Sequence, residues 1–339
     1  MQAAARSYWE SVGCTAEYGL RTAIVEIAEC DRGARLTLKN LDEGLGFAIS
    51  DELLTDSRVT FAGYRRPHPL INSHNFRLDV SLGSDWKAIW TNAVDRLAAR
   101  VLEMTEEASG GRNWFEADGD WHATLHFDRC SPSWVNAVRR ALLSEVATLA
   151  VEKCTVHANA SSLCDELLIE RVALMPVRTP ISGGAVGDGA VHSTLRERHP
   201  EIREQKPPKR SQRTVTSDSI VFSGSGHHIA TLGTAPGGRS PVALAFPVVM
   251  LRPGEEVHIE ATLGRGTGRD HARFSAVSPI CMETVRRYAD DTGYTRMRLE
   301  MVGQLTGREA VHSVAAVLDA HLQNVRDAEV CRAADKLEP

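Results

Sequence analysis

The sequence predicts an α+β fold made of two modules with the same order of elements, the second interrupted by a β-rich segment. Three observations carry that prediction. Stretches where apolar and polar residues alternate are interleaved with stretches where apolar residues recur every three or four positions, the patterns of strands and amphipathic helices. The order strand, helix, strands, long final helix runs once before residue 108 and again after residue 119. The shorter helices of the two runs also match residue by residue. Leu45–Leu54 aligns without gaps on Trp134–Leu143, placing Ala48 on Ala137, Ile49 on Val138, Leu53 on Leu142 and Leu54 on Leu143.

In chain order, residues 21–30 and 34–39 form a hairpin with Asp31-Arg32-Gly33 as its turn. From Asp42 to Leu54, Leu45, Ala48, Ile49 and Leu53 make a helical stripe. Val59–Tyr64 is a strand broken by Pro67-His68-Pro69, and Asn75–Leu82 is a half-buried strand. Asp85–Glu107 is a long helix with Trp86, Ile89, Trp90, Ala93, Val94, Leu97, Val101 and Leu102 on one side. Residues 109–118 read as a linker; the stretch from Ala108 to Gly119 spans at most roughly 35–40 Å when extended. Trp121–Phe127 is a strand, and 131–148 a helix opened by Ser131 as cap and Pro132 at the first helical position. Then come a short strand over Val151–Val156, a turn over Asn159–Ser162 and a helix over Asp165–Met175 stopped by Pro176. Residues 179–240 are rich in Gly, Pro, Ser and Arg, with a long polar loop over Arg196–Arg213. Further strands lie over Val215–Phe222, Val242–Leu251, Glu256–Leu263 and Tyr294–Val302. The last helix opens on the capping box Thr306-Gly307-Arg308-Glu309, and its stripe is Val311, Val314, Ala315, Leu318, Leu322 and Val325. The expected division is a first module over 1–108, a linker over 109–118, a second module over 119–150 and 278–339, and a β-rich subdomain over 151–277.

Composition narrows the function. With 339 residues the chain has room for two or three cores, and 42% hydrophobic and 24% charged residues are ordinary for a globular protein. A net charge of −5 argues against a protein that holds nucleic acid by itself. The seven cysteines, at 14, 30, 130, 154, 164, 281 and 331, are odd in number and never spaced Cys-x-x-Cys. This speaks against a disulfide framework or a cysteine zinc site and for a reducing compartment. No run approaches the ~20 apolar residues of a membrane span, and the first ten residues lack a signal-peptide core. The expectation is an intracellular, soluble protein without cofactor or metal.

Four groupings invite function. Arg139 and Arg140 sit about 100° apart on one helix, so they cannot share a face; each is a solvated charge or a partner contact. Asn159, Ser161, Asp165, Glu166 and Arg171 offer a carboxylate pair near an arginine, which suggests acid–base chemistry. Adjacent Asp165 and Glu166 diverge on a helix, however, and Asn and Ser also serve as turn caps. Gly264-Arg-Gly-Thr-Gly-Arg-Asp-His271 resembles a phosphate cradle but lacks the Gly-Lys-Ser/Thr ending of a P-loop. Glycines that let the chain lie close to a partner are the other reading. The Arg196–Arg213 loop is either solvated or a contact for nucleic acid or a partner.

Several of these segments carry a family resemblance. Asn136-Ala-Val-Arg-Arg140, Glu145-Val-Ala-Thr148, Asn159-Ala-Ser161, Asp165-Glu166 and Arg171-Val-Ala-Leu-Met-Pro176, with Gly264–Ser275, resemble the large alpha-like subunit of cellular RNA polymerases. That is the third-largest subunit of polymerase II, the archaeal D subunit and the bacterial alpha amino-terminal domain. Leu45-Gly46, Asp56 and Val59-Thr-Phe-Ala-Gly-Tyr-Arg-Arg-Pro-His-Pro-Leu70 resemble the small partner, the eleventh subunit of polymerase II or archaeal L. The chain departs from the pattern at Glu43-Gly-Leu-Gly-Phe47, Ala147 and Ala173, and it lacks the cysteine cluster that binds zinc in many large partners.

The resemblance implies two alpha-like dimerisation modules joined as an intramolecular pseudo-heterodimer, with no homo-oligomer. It implies a non-catalytic assembly subunit of a DNA-directed RNA polymerase, acting in transcription, on which the second-largest and then the largest subunits assemble. Small accessory subunits would also bind, contact with DNA and RNA would be indirect, and the active site would lie on another subunit. It places Arg139, Arg140, Asn159, Ser161, Asp165, Glu166, Arg171, Gly266, His271 and Arg273 on partner surfaces. It places Leu45, Ile49, Leu53, Ile89, Leu97, Val138, Leu142, Val314 and Leu318 at the internal interface. Fusion would hold the modules at about millimolar effective concentration. The nucleus or cytoplasm is the expected location, or the virion or viral factory if the fusion is that of a large DNA virus. The competing readings are a nucleotide-acting enzyme built on the 264–271 loop and a free-standing regulator that mimics the subunit pair.

Overall fold

A computed structural model describes residues 23–335 apart from 31, 72, 109–114, 120, 129, 179–191, 199–212, 217–219, 223–227, 230–245 and 287–292. The first module runs β1 (Ala23–Cys30), β2 (Gly33–Lys39), α1 (Glu43–Leu53), β3 (Val59–Arg65), β4 (Ser73–Val80) and α2 (Trp86–Ala108). Its antiparallel sheet has the order β1-β2-β4-β3. Strict alternation builds the sheet: Ala34, Leu36 and Leu38 of β2 and Phe76, Leu78 and Val80 of β4 are buried, while Arg35, Lys39 and Arg77 face out. Asn40, with φ of 60°, turns the chain from β2 into α1, a left-handed conformation that asparagine tolerates.

The second module opens with β5 (Phe115–Asp118), β6 (His122–Asp128) and α3 (Pro132–Ser144). The chain then builds β7 (Ala147–Asn159), α4 (Asp165–Ala173), β8 (Val177–Arg178), β9 (His192–Arg198), β10 (Arg213–Thr216), β11 (Ile220–Phe222), β12 (His228–Ile229), β13 (Pro247–Leu251) and β14 (Glu256–Thr267). It closes with β15 (Val277–Arg286), β16 (Gly293–Met301) and α5 (Gly307–Asp335). The sheet of this module has the order β5-β6-β16-β15, the same path through four strands as β1-β2-β4-β3. The intervening strands form separate sheets, of which β11-β9-β14-β7 is the largest.

Two cores result. One contains Leu36, Leu38, Leu45, Ile49, Leu53, Phe76, Ile89, Trp90 and Leu97 from the first module, together with Leu125, Trp134, Val138, Leu142, Val314, Leu318 and Val325 from the second. It is continuous because α1 packs on α3 and α2 packs on α5. The other holds Leu168, Val172, Val177, Val249, Leu251, Val257 and Ile259 and belongs to α4 and the strands between α3 and β15.

The cap signals act as read. Asp42 Oδ1 accepts from the Gly44 amide at 2.8 Å, and Ser131 Oγ accepts from the Trp134 amide at 3.2 Å. Thr306 and Glu309 cap one another reciprocally, the Thr306 amide donating to Glu309 at 2.6 Å and the Glu309 amide to Thr306 Oγ1 at 3.3 Å.

Four sequence expectations change. The helix expected over 131–148 ends at Ser144, and β7 begins at Ala147, because Ala147, Thr148, Leu149, Ala150 and Val151 take up strand pairing with β14. The segment expected as linker, 109–118, contains β5, which pairs with β6; residues 109–114 lie outside the described residues. The glycine segment from Gly264 is strand as far as Thr267, paired residue by residue to β7. Strand β15 was hidden by Pro279, since proline inside an apolar run reads as a break. The Arg196–Arg213 loop falls outside the described residues over 199–212, and its first three residues belong to β9.

Gly44 is a point of close approach between the modules. A methyl placed there would lie 3.0 Å from Ala137 Cα and 3.0 Å from Arg140 Cδ, with backbone on one side. Gly44→Val should therefore cost about 2 kcal/mol of stability through overpacking. A lowered denaturation midpoint of the full chain would show this, and an unchanged midpoint would contradict the packing.

Candidate functional site

The most elaborated region is where α1 and α3 meet. Asp42 is the cap of α1 and is 8% exposed. Besides the Gly44 amide it accepts from Arg140 of α3, Nε at 3.2 and 3.3 Å and a terminal nitrogen at 3.0 Å, a two-toothed pair across the modules. Burial alone would raise the Asp42 carboxyl, but the Arg140 hydrogen bond and charge and the amides of Gly44 and Leu45 outweigh it and hold the group below its usual value. The same hydrogen bond raises Arg140. Nearby, the Tyr64 ring covers Gly46, stands edge-on to Phe47 and joins His74 Nδ1 by a 2.7 Å hydrogen bond. His74 is almost fully buried, and burial is the first cause that pushes its pKa below the ordinary histidine value, the Arg66 charge the second.

Two further carboxylates clamp helix ends. Glu52 of α1, 4% exposed, receives Arg96 at 2.6 Å and Arg100 at 3.0 Å, both from α2. Glu145, just past α3, receives Arg269 at 2.6 Å on one oxygen and His321 of α5 at 2.6 Å on the other. The Arg269 amide also donates to the Ser144 carbonyl at 3.0 Å, so the turn after β14 is fastened to the end of α3. In the sequence Glu145 stands only as the first residue of the family-like segment Glu145-Val-Ala-Thr148. Its partners lie 124 and 176 residues away, beyond the reach of local spacing.

The residues expected to meet partners fall in three places. Arg139 and Arg140 diverge: Arg139 bonds Asn136 Oδ1 at 3.2 and 2.9 Å on the outer side of α3, while Arg140 turns onto Asp42. Asn159 Oδ1 accepts from the Ser161 amide at 3.0 Å and from the Ser161 hydroxyl at 2.6 Å, and its amide donates to Asp165 at 2.7 Å and to the Leu163 carbonyl at 2.8 Å. This is a self-bonded turn that leads into α4, where Asp165 and Glu166 complement the positive end of the helix. Arg171 donates to the Val248 carbonyl at 3.0 Å and ties α4 to β13. His271 Nδ1 accepts from the Arg273 amide and side chain at 3.2 Å each, and Arg273 donates to the Val151 carbonyl at 2.8 Å.

Arg140, although held by Asp42 of its own chain, keeps part of its side chain exposed. One assignment needs correction. Gly266 is buried beneath the Phe274 ring, which takes the space a side chain would need, so it presents no surface to a partner. The phosphate-cradle reading fails for the same reason: around Gly264, Gly266 and Gly268 the free space is filled by Glu152, Phe274 and the Leu143 carbonyl. The glycines exist for close packing of the chain on itself. The nine residues expected at the internal interface, Leu45, Ile49, Leu53, Ile89, Leu97, Val138, Leu142, Val314 and Leu318, are all buried in the shared core. Among the described residues no group of three or more His, Cys, Asp or Glu side chains is placed to hold a metal ion, and no helix is long and apolar enough to cross a membrane.

Family comparison meets this geometry at both modules. The model of the RNA polymerase Rpb3/Rpb11 dimerisation domain matches residues 33–107, and a second model of the same description matches residues 124–322. The chain belongs to this family. It carries two such domains in tandem. Among individual proteins it is similar to DNA-directed RNA polymerase subunit Rpo3 of Pyrobaculum aerophilum, 28% identical over 160 residues, 47% of this chain and 57% of that protein. Rpo3 of Methanosphaera stadtmanae is 25% identical over 230 residues, 64% of this chain and 76% of the relative. The mouse DNA-directed RNA polymerases I and III subunit RPAC1 is 30% identical over 174 residues, 46% of this chain and 49% of the relative. Apart from the Methanosphaera protein, the chain spans about half the length of these relatives.

The buried His74 links stability to pH. Its folded-state pKa lies below the unfolded one, so the neutral form is favoured by folding. That contribution is complete above the ordinary histidine pKa of about 6.5 and is lost as pH falls from there toward the lowered value. His312, also lowered, adds to the loss with the same sign, burial again being the main cause. Denaturation midpoints taken from pH 7 down to 5 should fall for the native chain and fall less steeply for His74→Gln. Equal slopes would show that His74 is not neutral by virtue of its site.

Proposed function

We propose that this chain is a non-catalytic assembly subunit of a multisubunit DNA-directed RNA polymerase. Its two alpha-like modules act as an intramolecular pseudo-heterodimer, small partner over 1–108 and large partner over 119–150 and 278–339, with residues 151–277 as an inserted β-rich subdomain. The observation that carries this reading is the repetition of one four-stranded path with two helices, β1-β2-β4-β3 and β5-β6-β16-β15, whose helices share a single core. Two family matches in the same chain and relatives named as polymerase subunits support it.

The work of such a subunit is to hold one shape. The second-largest and largest polymerase subunits, and small accessory subunits, dock on surfaces outside the shared core. Arg139 on the outer side of α3 and the α4 region with Asn159, Ser161, Asp165, Glu166 and Arg171 form the docking surface, together with His271 and Arg273 at the turn after β14. The hydrogen bonds within these turns keep their charged ends in fixed positions, so little order has to be gained on binding. Nucleic acid is met through the complex, and polymerisation belongs to another subunit. The setting is intracellular, in nucleus, cytoplasm or viral factory.

Purification of the tagged full chain from its native source tests this reading. Large polymerase subunits should be recovered in stoichiometric amounts with activity, and Arg139→Glu with Glu166→Lys should lower that recovery at least about tenfold, equivalent to about 1.4 kcal/mol. Neither side chain is buried, so the doubly substituted chain should still fold, its stability lowered by no more than about 1 kcal/mol from the lost charge at the start of α4. A chain that is recovered alone, or that turns over nucleotides without partners, would defeat the assignment.

A further inference from the structure

We propose that Asp42 and Arg140 select pairing between unlike modules and reject pairing between like ones. This inference rests on the reading of the two modules as an internal pair. Its ground is the contact map of α1 on α3. Gly44 lies against Ala137, and Asp42, two residues earlier on α1, bonds Arg140, three residues later on α3. The contacts therefore run in opposite directions along the two helices, as a two-fold arrangement requires.

The gapless match of Leu45–Leu54 on Trp134–Leu143 identifies the equivalent positions. Asp42 corresponds to Ser131, and Asp51 corresponds to Arg140. Both Asp42 and Ser131 are helix caps. The same operation that brings Asp42 to Arg140 brings Asp51 toward Ser131. In the unlike pair, one end of the crossing thus carries a carboxylate on a guanidinium, and the other turns the Asp51 carboxylate toward the end of α3 that Ser131 caps.

Like pairs change both ends. Two first modules would set Asp42 of each against Asp51 of the other, two carboxylate pairs in a crossing where Asp42 is already almost out of water. Two second modules would set Arg140 of each against Ser131 of the other, leaving two guanidiniums without a carboxylate. A carboxylate buried against its like costs far more than one buried against its opposite. The stripe positions Ala48, Ile49 and Leu53 cannot supply this discrimination, since Ala137, Val138 and Leu142 match them. The charge selection lies in four polar positions, and it keeps each chain closed on itself.

Mass measurement by light scattering over a range of concentrations tests the inference on the full chain. The native chain should hold the mass of one copy, 37.1 kDa. Exchanging the charges, Asp51→Arg with Arg140→Asp, makes two first modules attractive to each other and the unlike pair repulsive; dimerisation should strengthen at least about tenfold. Asp51→Arg alone leaves the Asp42–Arg140 pair in place and so folds as the native chain does. It too should raise self-association, with an unchanged denaturation midpoint. If both variants associate no more than the native chain, the selection role is overturned while the internal pair stands. If the native chain itself is a stable dimer, the internal pair is overturned as well.

Discussion

Everything in this molecule depends on α1 and α3 meeting at backbone distance. Gly44 against Ala137 sets how close the helices come, and that closeness lets the stripes of both helices enter one core with α2 and α5. Leu45, Ile49, Leu53, Val138 and Leu142 are each at most 1% exposed. Fully burying such a side chain is worth roughly 1.5–3 kcal/mol, an upper range when the unfolded chain is compact. No sheet of four strands covers both faces of its own helices. The cover for each module is the other module, so neither has a complete core by itself.

Around that crossing, polar groups fix the geometry that apolar packing leaves free. Asp42, Glu52 and Glu145 are carboxylates withdrawn from water, and each is met by an arginine from another element, Glu52 by two and Glu145 by a histidine as well. Such pairs contribute little net stability, because desolvation consumes much of the attraction. Breaking one leaves a stranded charge, which is costly. Their effect is to make alternative packings expensive. Glu145 has the widest reach, since it joins the end of α3, the turn after β14 and the middle of α5, and so fixes the β-rich segment to the helical layer.

Most of the two-module plan could be read from the residues. The stripes on Asp42–Leu54, on Asp85–Glu107 and on the last helix needed only the helical period, and caps at Ser131 and Thr306 needed only local chemistry. The residue match between α1 and α3 exposed the repetition before any contact was known. What stayed hidden is long-range. Strand β7 was read as part helix because Val146–Val151 continues the apolar pattern of α3, and only the partner strand β14 decides otherwise. Strand β15 was concealed by Pro279. The glycines from Gly264 look like a loop for a ligand until the groups that fill their empty sides, Glu152, Phe274 and the Leu143 carbonyl, are seen. Of the candidate site, the charged residues of the α4 region were found by type, but their mutual bonding follows from turn geometry. The Asp42–Arg140 pair spans 98 residues and has no local signature.

The position of β16 has a consequence for synthesis. Strand β6 finds its second neighbour only about 170 residues later, at Tyr294–Glu300, after the whole β-rich segment. A ribosome making the chain therefore releases the first module, α3 and a second domain core before the strand that completes the second sheet exists. Through that interval the apolar faces of α2 and α3 wait for α5, the last element. The β-rich segment closes on its own core in the meantime. Folding of the helical layer thus waits for α5, and a chain cut short before α5 would leave the apolar faces of α2 and α3 open to whatever else is in solution.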